Sequence, residues 1–322
     1  MLEFEKPVIE LETKIKELKE LSKSRPEILE EIERLEKKLI KVKENVYKNL
    51  SPWNITQIAR HPDRPHSLDF IKNIFDDYFE IHGDRSFGND YAIVAGFAKL
   101  GKNKIVFVGE EKGRDTKEKI KRNFGMPHPE GYRKAIRAFS LAEKFNFPVV
   151  TFVDTPGAYP GIGAEERGQA WAISFSIYKM IDLNVPILTF IIGEGGSGGA
   201  LAIAVGDKVY ALKYSIYSVI SPEGCAAILF RDSSKAEKAA KYLKLTSSDL
   251  LEFSIIDGII EEPLGGSHID PQFVYKNVKD TILRDLEELG NYPISELKEK
   301  RIKKYLKIKF LKEGENGTRG DT

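Results

Sequence analysis

The sequence predicts an α/β protein with a largely parallel sheet, preceded by a helical arm. After residue 67, strand-like apolar runs alternate with helical segments, which is typical of βα crossovers. Two of these runs, at residues 149–153 and 186–192, are apolar throughout, as strands covered on both faces are. Before residue 50 the chain is rich in Glu, Lys, Leu and Ile and has no glycine, which indicates helices.

Residues 8–50 form the predicted arm. In its second half, apolar residues recur in steps of four and three, as in a coiled-coil seam: Ile28, Ile32, Leu35, Leu39, Val42 and Val46. A serine followed by Pro26 and Glu27 is a helix-start signal, so we predict two antiparallel helices with a break near residues 22–27. The apolar stripe has to be buried on the same chain or on another subunit, and the pattern leaves both open.

A proline-bearing linker at residues 51–64 marks the predicted domain boundary. The predicted elements that follow are a helix at 67–79, strands at 91–100 and 104–109, a helix at 130–146, a strand at 149–153, a helix at 164–183, a strand at 186–192, a further helix, strands at 208–212 and 217–220, and a mostly helical remainder. The polar residues 311–322 are expected to be disordered. We therefore divide the chain into an arm (1–50), a main domain (51–290) and a C-terminal helix with tail (291–322).

Charge and composition exclude several functional classes. Lys plus Arg number 50 and Asp plus Glu 49, so a net charge of +1 gives no reason to expect nucleic acid or an anionic membrane as partner. The single cysteine, Cys225, excludes an intrachain disulfide and a multi-cysteine zinc site. The longest apolar run, at 185–192, is far shorter than the roughly 20 residues that cross a bilayer. With no signal-peptide pattern at the acidic N-terminus, we expect a cytoplasmic protein.

Two glycine-rich segments follow the two most apolar strands, at residues 154–163 and 193–199. Ligands of α/β sheets usually bind at the carboxyl ends of neighbouring strands. Glycine at this density lets a ligand approach main-chain N–H groups, and an N–H at the start of a helix gains the positive end of that helix. Such donors stabilise oxyanions in acyl chemistry. The sequence therefore predicts an oxyanion-binding site between these segments.

Three other functions share parts of this pattern. A GTPase would need a G-x-x-x-x-G-K-[ST] loop, which is absent from the sequence. A self-sufficient serine hydrolase could use Ser197 in G-x-S-x-G with His268 downstream. A dinucleotide site matches only the glycines of G-x-G-x-x-G in 193–198, a weak signal. The five histidines lack metal-site spacing and are expected to be structural, while the basic loop at 112–126 could equally be a solvated surface or an anion contact.

Several motifs, taken together, closely resemble the alpha subunit of acetyl-CoA carboxylase carboxyltransferase. The resemblance runs in order from about Pro7 to Asp270, and its motifs are residues 60–65, 112–114, 123–126, 129–135, 154–167, 193–207 and 221–225. It implies a crotonase-like spiral of ββα units with an N-terminal helical hairpin arm. It also implies carboxyl transfer from carboxybiotin on a carrier protein to acetyl-CoA, giving malonyl-CoA for fatty acid synthesis. A self-sufficient crotonase-like hydratase remains the alternative beside the hydrolase.

The resemblance also implies partners and cofactors. The active site would lie between this chain and a carboxyltransferase beta subunit in an α2β2 assembly, served by the biotin carboxyl carrier protein and by a biotin carboxylase that uses ATP. A four-cysteine zinc site is expected on the beta subunit and no metal on this chain. Biotin would be the cofactor delivered to this subunit, and the beta subunit would hold the CoA thioester. Neither a membrane nor nucleic acid is expected as partner.

No catalytic side chain is needed if the protein holds the substrates and stabilises two oxyanions, one on biotin and one on the enolate. The resemblance assigns the biotin oxyanion to the backbone N–H groups of Gly161 and Ile162, with Gly198 and Gly199 as second choice. The residues expected to contact biotin are Gly157, Ala158, Tyr159, Gly196, Glu165 and Arg114. Glu165 could instead be an ordinary acid at a helix start. Glu110-Glu111 departs from the family, which usually has a glutamine before Lys112, and an extra acid could weaken an anion contact there.

Overall fold

A computed structural model describes residues 2–22 and 26–308. Within these ranges the strands are β1 (Asp77–Glu80), β2 (Ile93–Leu100), β3 (Asn103–Glu110), β4 (Val149–Thr155), β5 (Ile187–Gly196), β6 (Lys208–Leu212), β7 (Ile216–Ser218) and β8 (Gly258–Ile260). The α-helices are α1 (Lys6–Ser22), α2 (Leu29–Lys48), α3 (Pro52–Ala59), α4 (Ser67–Ile74), α5 (Thr116–Lys121), α6 (Pro129–Phe145), α7 (Ile162–Glu166), α8 (Gln169–Asp182), α9 (Ser197–Leu201), α10 (Pro222–Phe230), α11 (Ala236–Leu243), α12 (Ser247–Glu252), α13 (Pro271–Leu289) and α14 (Ile294–Leu306).

The strands form one mixed sheet in the order β1-β2-β3-β4-β5-β6-β8, and β7 pairs with the end of β5. The first three strands are antiparallel, and the pairs from β3 through β8 are parallel. Helices α4 and α13 cover one face and α6 and α8 the other, which buries β4 and β5 along their whole length. The α/β class and the parallel core expected from the apolar runs are confirmed.

The N-terminal arm is a helical hairpin. Ile15 of α1 packs against Ile32 and Leu35 of α2. Lys43 pairs with Glu12 at 2.6 Å, and Lys19 pairs with Glu36 at 2.7 Å, so the two helices run antiparallel. The hairpin is confirmed, although part of its predicted break, residues 23–25, lies outside the described residues.

Four predictions of local structure were wrong. Most of the linker predicted at 51–64 is helix α3, which begins directly after the serine cap Ser51 and buries Ile58 and Ala59. The helix predicted at 67–79 ends at Ile74, because residues 77–80 pair with β2 and become edge strand β1. The helix predicted at 164–183 is two helices, α7 and α8, separated at Gly168 with φ +80°. Residues 193–196 were expected in a loop but belong to β5. The short strand β8 was not predicted.

The C-terminal helix α14 is bound through Arg301, whose side chain is buried, to the end of α8 and to the segments that lead into β5 and β6. Its guanidinium forms two 2.8 Å bonds with Asp207 and donates to the carbonyl oxygens of Met180, Leu183 and Val185, each at 2.8 Å. The tail predicted to be disordered, 311–322, lies outside the described residues, and the predicted domain boundaries stay predictions. In the described part of the chain no helix is both long and apolar enough to cross a membrane.

Candidate oxyanion site at the ends of two parallel strands

The two glycine-rich segments come together backbone to backbone. They follow the parallel neighbours β4 and β5, where Thr155 is in register with Gly195. A Cβ added to Gly196 would lie 2.1 Å from the Pro156 carbonyl oxygen. A Cβ added to Gly199 would lie 2.4 Å from the Ala158 nitrogen. Side chains at these positions would force the segments apart, so glycine is required for their approach.

The first segment is a fixed turn. Gly157 has φ +148°, and its N–H donates to the Thr155 hydroxyl at 3.0 Å. The N–H of Tyr159 donates to the Pro127 carbonyl oxygen at 3.0 Å, and the Tyr159 ring stacks on His128 at 4.1 Å between centroids. Gln169 donates to the Tyr159 carbonyl oxygen at 3.0 Å. These contacts hold the turn from both sides.

The predicted donors Gly161 and Ile162 lie at the start of α7. Gly161 caps this helix, and its carbonyl oxygen accepts the N–H groups of Ala164 at 2.9 Å and Glu165 at 3.2 Å. The N–H groups of the first turn of a helix have no acceptor within the helix, because the residues four positions earlier lie outside it. The N–H groups of Ile162 and Gly163 are therefore available to a ligand. Ile162 is 80% exposed, and Glu165 is also exposed. This edge of the site therefore opens to the surface.

The second pair of predicted donors, Gly198 and Gly199, lies in the five-residue helix α9. Gly198 lines a cleft of about 260 Å³ together with Ser197, Leu201, Tyr217, Ser218, Val219, Leu250 and Ile255. A Cβ on Gly198 would lie 3.6 Å from Ile173, an ordinary contact, whereas Gly199 faces the first segment. The structure thus places these two neighbours in different surroundings: Gly198 at the cleft and Gly199 in the contact between the segments.

The hydrolase triad is not assembled. Ser197 does have one property of a nucleophile elbow, a left-handed backbone with φ +53° between a strand and a helix. However, His268 stacks on His61 at 3.9 Å, and none of the residues lining the Ser197 cleft is a histidine. Burial and the neighbouring His61 lower the pKa of His268 to about 4. The dinucleotide pattern fails too, because Gly193 and Gly195 lie within β5 and not in a turn after it.

A connected set of charged side chains lies at the ends of β4 and β5, and it was not predicted from the sequence. Lys112 is 2.7 Å from Asp154 and 3.6 Å from Glu194. Arg60 is 2.5 Å from Glu194 and 2.6 Å from Glu223. One signal was available, since Asp154 and Glu194 each directly follow an apolar stretch of a buried strand and are themselves buried. A buried acid at that position predicts a cation nearby.

The unusual acid pair Glu110-Glu111 faces the protein interior. Glu111 accepts the N–H groups of Leu68 at 2.8 Å and Gly113 at 3.0 Å. Although burial opposes it, hydrogen bonding with His66 lowers the pKa of Glu111. The expectation that an extra acid disturbs an anion contact is therefore not supported.

Arg114 is engaged within the chain. It pairs with Asp69 and donates to the Arg64 carbonyl oxygen at 2.9 Å, so it fixes the linker that precedes α4. Its predicted contact with biotin stays a prediction. Among the described residues no group of three or more His, Cys, Asp or Glu side chains is arranged to hold a metal ion.

Glu110 should make stability depend on pH. Its carboxyl is fully buried and accepts the Asp154 N–H at 3.1 Å, and burial raises its pKa well above 4.5. The stability contributed by the neutral acid is complete below the unfolded pKa and is lost as pH rises through the folded pKa. Glu110→Gln keeps the acceptor and does not titrate. As pH rises from 5 to 8, we expect the free energy of unfolding of the variant to increase relative to that of the parent by at most about 1.4 kcal/mol per pH unit, and its relative melting temperature to increase with it. If the melting temperatures of the two proteins changed with pH in parallel, the prediction would be contradicted.

Comparison with known families agrees with the resemblance noted in the sequence. A family model described as "Acetyl co-enzyme A carboxylase carboxyltransferase-like" matches residues 1–309. The acetyl-coenzyme A carboxylase carboxyl transferase subunit alpha of Geobacter metallireducens is 56% identical over 307 residues, covering 95% of this chain and 96% of the relative. The protein of the same description from Thermus thermophilus is 54% identical, covering 94% of this chain and 96% of the relative.

Solved structures agree in fold. The 12S transcarboxylase aligns with a TM-score of 0.60 at 20% identity, covering 75% of this chain and 44% of that chain. A chain of a Pseudomonas malonate decarboxylase hetero-tetramer aligns with a TM-score of 0.56 at 14% identity, covering 67% of this chain and 86% of that chain. The crotonase-like fold that the resemblance implied is confirmed, and these neighbours are carboxyltransferases and decarboxylases, not hydratases.

Proposed function

This chain belongs to the family of acetyl-CoA carboxylase carboxyltransferase alpha subunits, and we propose that it supplies the biotin-facing half of a site shared with a second subunit. As a member of that family it serves the transfer of a carboxyl group from carboxybiotin to acetyl-CoA, which gives malonyl-CoA for fatty acid synthesis. The observation that carries our proposal is the contact between the two glycine segments, which brings the starts of α7 and α9 to one edge of the sheet.

The residues at this edge fit biotin. The cleft beside α9 holds about 260 Å³ and is lined mainly by apolar side chains, which suits the compact bicyclic ring. Backbone N–H groups at the starts of α7 and α9 suit the ureido carbonyl. Bound carboxybiotin supplies the carboxyl group to be transferred and the nitrogen that takes the proton from the acetyl methyl group.

Within this arrangement the chain acts through its backbone. We propose that the N–H groups of Gly161 and Ile162, the N-cap and first residue of α7, would hold the ureido oxygen of biotin, since N–H groups at these positions have no acceptor within the helix. Gly198 is the second choice because it faces the cleft, and Gly199 serves the contact between the segments. One oxyanion donor typically contributes about 3 kcal/mol to transition-state stabilisation. In the proposed biotin site, the walls are shaped by Gly157 and Gly196. The turn of the first segment continues through Ala158 and Tyr159, and the exposed Glu165 lies at the rim of the site.

We propose that the second subunit is the carboxyltransferase beta chain. Docking of this subunit is supported by a stack of aromatic rings on the outer face of α8. The ring centroids of Trp171 and Phe175 are 5.0 Å apart, and those of Phe175 and Tyr178 are 6.1 Å apart. Trp171 is 58% exposed and Tyr178 63%, and such large exposed aromatic surfaces mark interaction sites. The α2β2 stoichiometry, a zinc site on the beta chain, the biotin carrier, the biotin carboxylase and the cytoplasmic location belong to the same proposal.

Biotin-dependent decarboxylation of malonyl-CoA, the reverse half-reaction, tests this function. We expect no turnover by the isolated chain, because it would lack the thioester-holding half of the site, and turnover once the beta subunit is added. Ser197→Ala separates the shared site from the hydrolase alternative: it removes only a hydroxyl from the wall of the cleft, so its assembled form should keep most of the parent's activity. Turnover by the chain alone that is lost in Ser197→Ala would refute the shared site.

A further inference from the structure

The pairing of β4 with β5 becomes irregular directly before the site. Val153 is in register with Ile191, and the next aligned pair is Thr155 with Gly195. From the first pair to the second, β4 advances by two residues and β5 by four, so β5 carries a bulge of two extra residues. The regular ladder of backbone hydrogen bonds is interrupted there. Whatever bridges the bulge therefore determines how the two glycine segments lie against each other.

Side chains replace the missing backbone bonds. The N–H of Glu194 donates to Asp154 Oδ1 at 3.0 Å, and the N–H of Asp154 donates to Glu110 Oε2 at 3.1 Å. The Ile192 carbonyl oxygen accepts a 2.7 Å bond from Arg64 Nε. A Cβ on Gly193 would lie 2.4 Å from Asp154 Oδ1, so only glycine leaves room for this carboxylate.

Asp154 is 2% exposed, and a buried carboxylate needs a cation. Lys112, from the loop after β3, is that cation at 2.7 Å, and its ammonium also lies 3.6 Å from Glu194 Oε2. Arg60, the residue directly after α3, pairs with Glu194 and also with Glu223 at the start of α10. One ammonium thus lies between the two carboxylates that end the regular parts of β4 and β5.

We infer that Lys112 is a positioning residue for carboxyl transfer, holding Asp154 and Glu194 together and so fixing the backbone donors of the two glycine segments. The inference rests on the proposed function of those segments. We assign Lys112 a positioning role and not a catalytic one, because its ammonium is engaged by the carboxylates of Asp154 and Glu194. A shift of about 1 Å between donor and substrate can cost on the order of a hundredfold in rate. Loss of the ammonium releases the bulge on which both segments depend.

The test uses the assembled α and β subunits and biotin-dependent malonyl-CoA decarboxylation. Lys112→Met should lower kcat by about a hundredfold and leave the KM for biotin within about twofold, since the donors act mainly in the transition state. Lys112→Arg keeps a charge between the carboxylates, and its kcat should stay within about tenfold of the parent. Lys119→Met is the matched control: Lys119 lines the same small cleft as Lys112, and among the described residues it forms no ion pair.

A double variant separates positioning from simple charge compensation. Lys112→Met with Asp154→Asn removes one charge of each sign and leaves an acceptor for the Glu194 N–H. Lys112→Met alone should lower the melting temperature, because it leaves the buried Asp154 carboxylate without its cation. We expect the double variant to restore the melting temperature while its kcat stays low, because the bridge to Glu194 is still missing. Recovery of kcat together with melting temperature, or full kcat in Lys112→Met alone, would overturn the inference. An inactive parent assembly would instead refute the proposed function.

Discussion

Replacing Gly199 with alanine is expected to lower kcat of the assembled transferase by about a hundredfold or more. The added methyl carbon would lie 2.4 Å from the Ala158 nitrogen and 2.6 Å from the Gly157 carbonyl carbon. Both neighbours are backbone atoms, so no side chain can rotate away to make room. The first glycine segment has to move, and the donors of α7 move with it. Overpacking of this kind also costs about 1–3 kcal/mol of stability.

Gly198→Ala is the control for this prediction. Its methyl carbon would lie 3.6 Å from Ile173, a normal van der Waals distance, so the two segments should keep their contact. We expect this variant to retain kcat within about tenfold, because it narrows the cleft without moving the donors. The measurement is steady-state biotin-dependent decarboxylation by both assemblies, with melting temperatures taken in parallel. Equal kcat values for the two variants would refute the role given to the contact between the segments.

The second large effect concerns stability. Arg301→Met should destabilise the chain by about 3–5 kcal/mol, the typical cost of removing one partner of a buried ion pair. The loss leaves the Asp207 carboxylate buried without its cation and frees the carbonyl oxygens of Met180, Leu183 and Val185. Each buried acceptor left without a donor adds to the cost. Urea unfolding of the full-length chain measures the change.

Lys303→Met on the same helix is the comparison. Lys303 is 58% exposed and pairs with Glu299 one turn away. Exposed pairs of this kind contribute about 0.3–0.5 kcal/mol, so the midpoint of unfolding should hardly change. If both variants shifted the midpoint of unfolding by the same amount, Arg301 would contribute no more to stability than an exposed side chain of α14, and its anchoring role would be refuted.

Much of the fold followed from the sequence because its signals are local. The apolar runs ending at Val153 and Ile192 predicted the two central strands, and both strands are buried on both faces. The predicted end of β5 at residue 192 was wrong: the strand continues to Gly196, although glycine usually ends a strand. Here Gly195 is required because a Cβ would lie 2.6 Å from the Tyr217 ring, a contact with β7 that no local pattern reveals. The helix predicted through Phe79 failed for a similar reason, because pairing with β2 outweighed the helical pattern.

The candidate site was predictable in position but not in construction. Glycine-rich segments after two neighbouring strands indicated where a ligand would bind, and the structure brings these segments together. The ionic bridge behind them joins residues far apart in sequence: Arg60 and Glu223 are separated by 163 positions. Periodicity and motif spacing carry no information on such a pair. Gly198 lines the cleft and Gly199 contacts the first glycine segment. This difference depends on the direction of each Cα–H bond, which only the three-dimensional structure gives.

The anchoring of α14 has a consequence for synthesis on the ribosome. Arg301 follows Asp207 by 94 positions, so at about 5–20 residues per second roughly 5–20 s pass between their translation. Throughout that interval, the carbonyl oxygens of Met180, Leu183 and Val185, at the end of α8 and before β5, lack the donor that later binds them. The segments that lead into β5 and β6 therefore stay incompletely hydrogen-bonded until the chain is almost finished. We therefore expect a product of premature termination before residue 301 to be less stable than the full chain and to be degraded more readily.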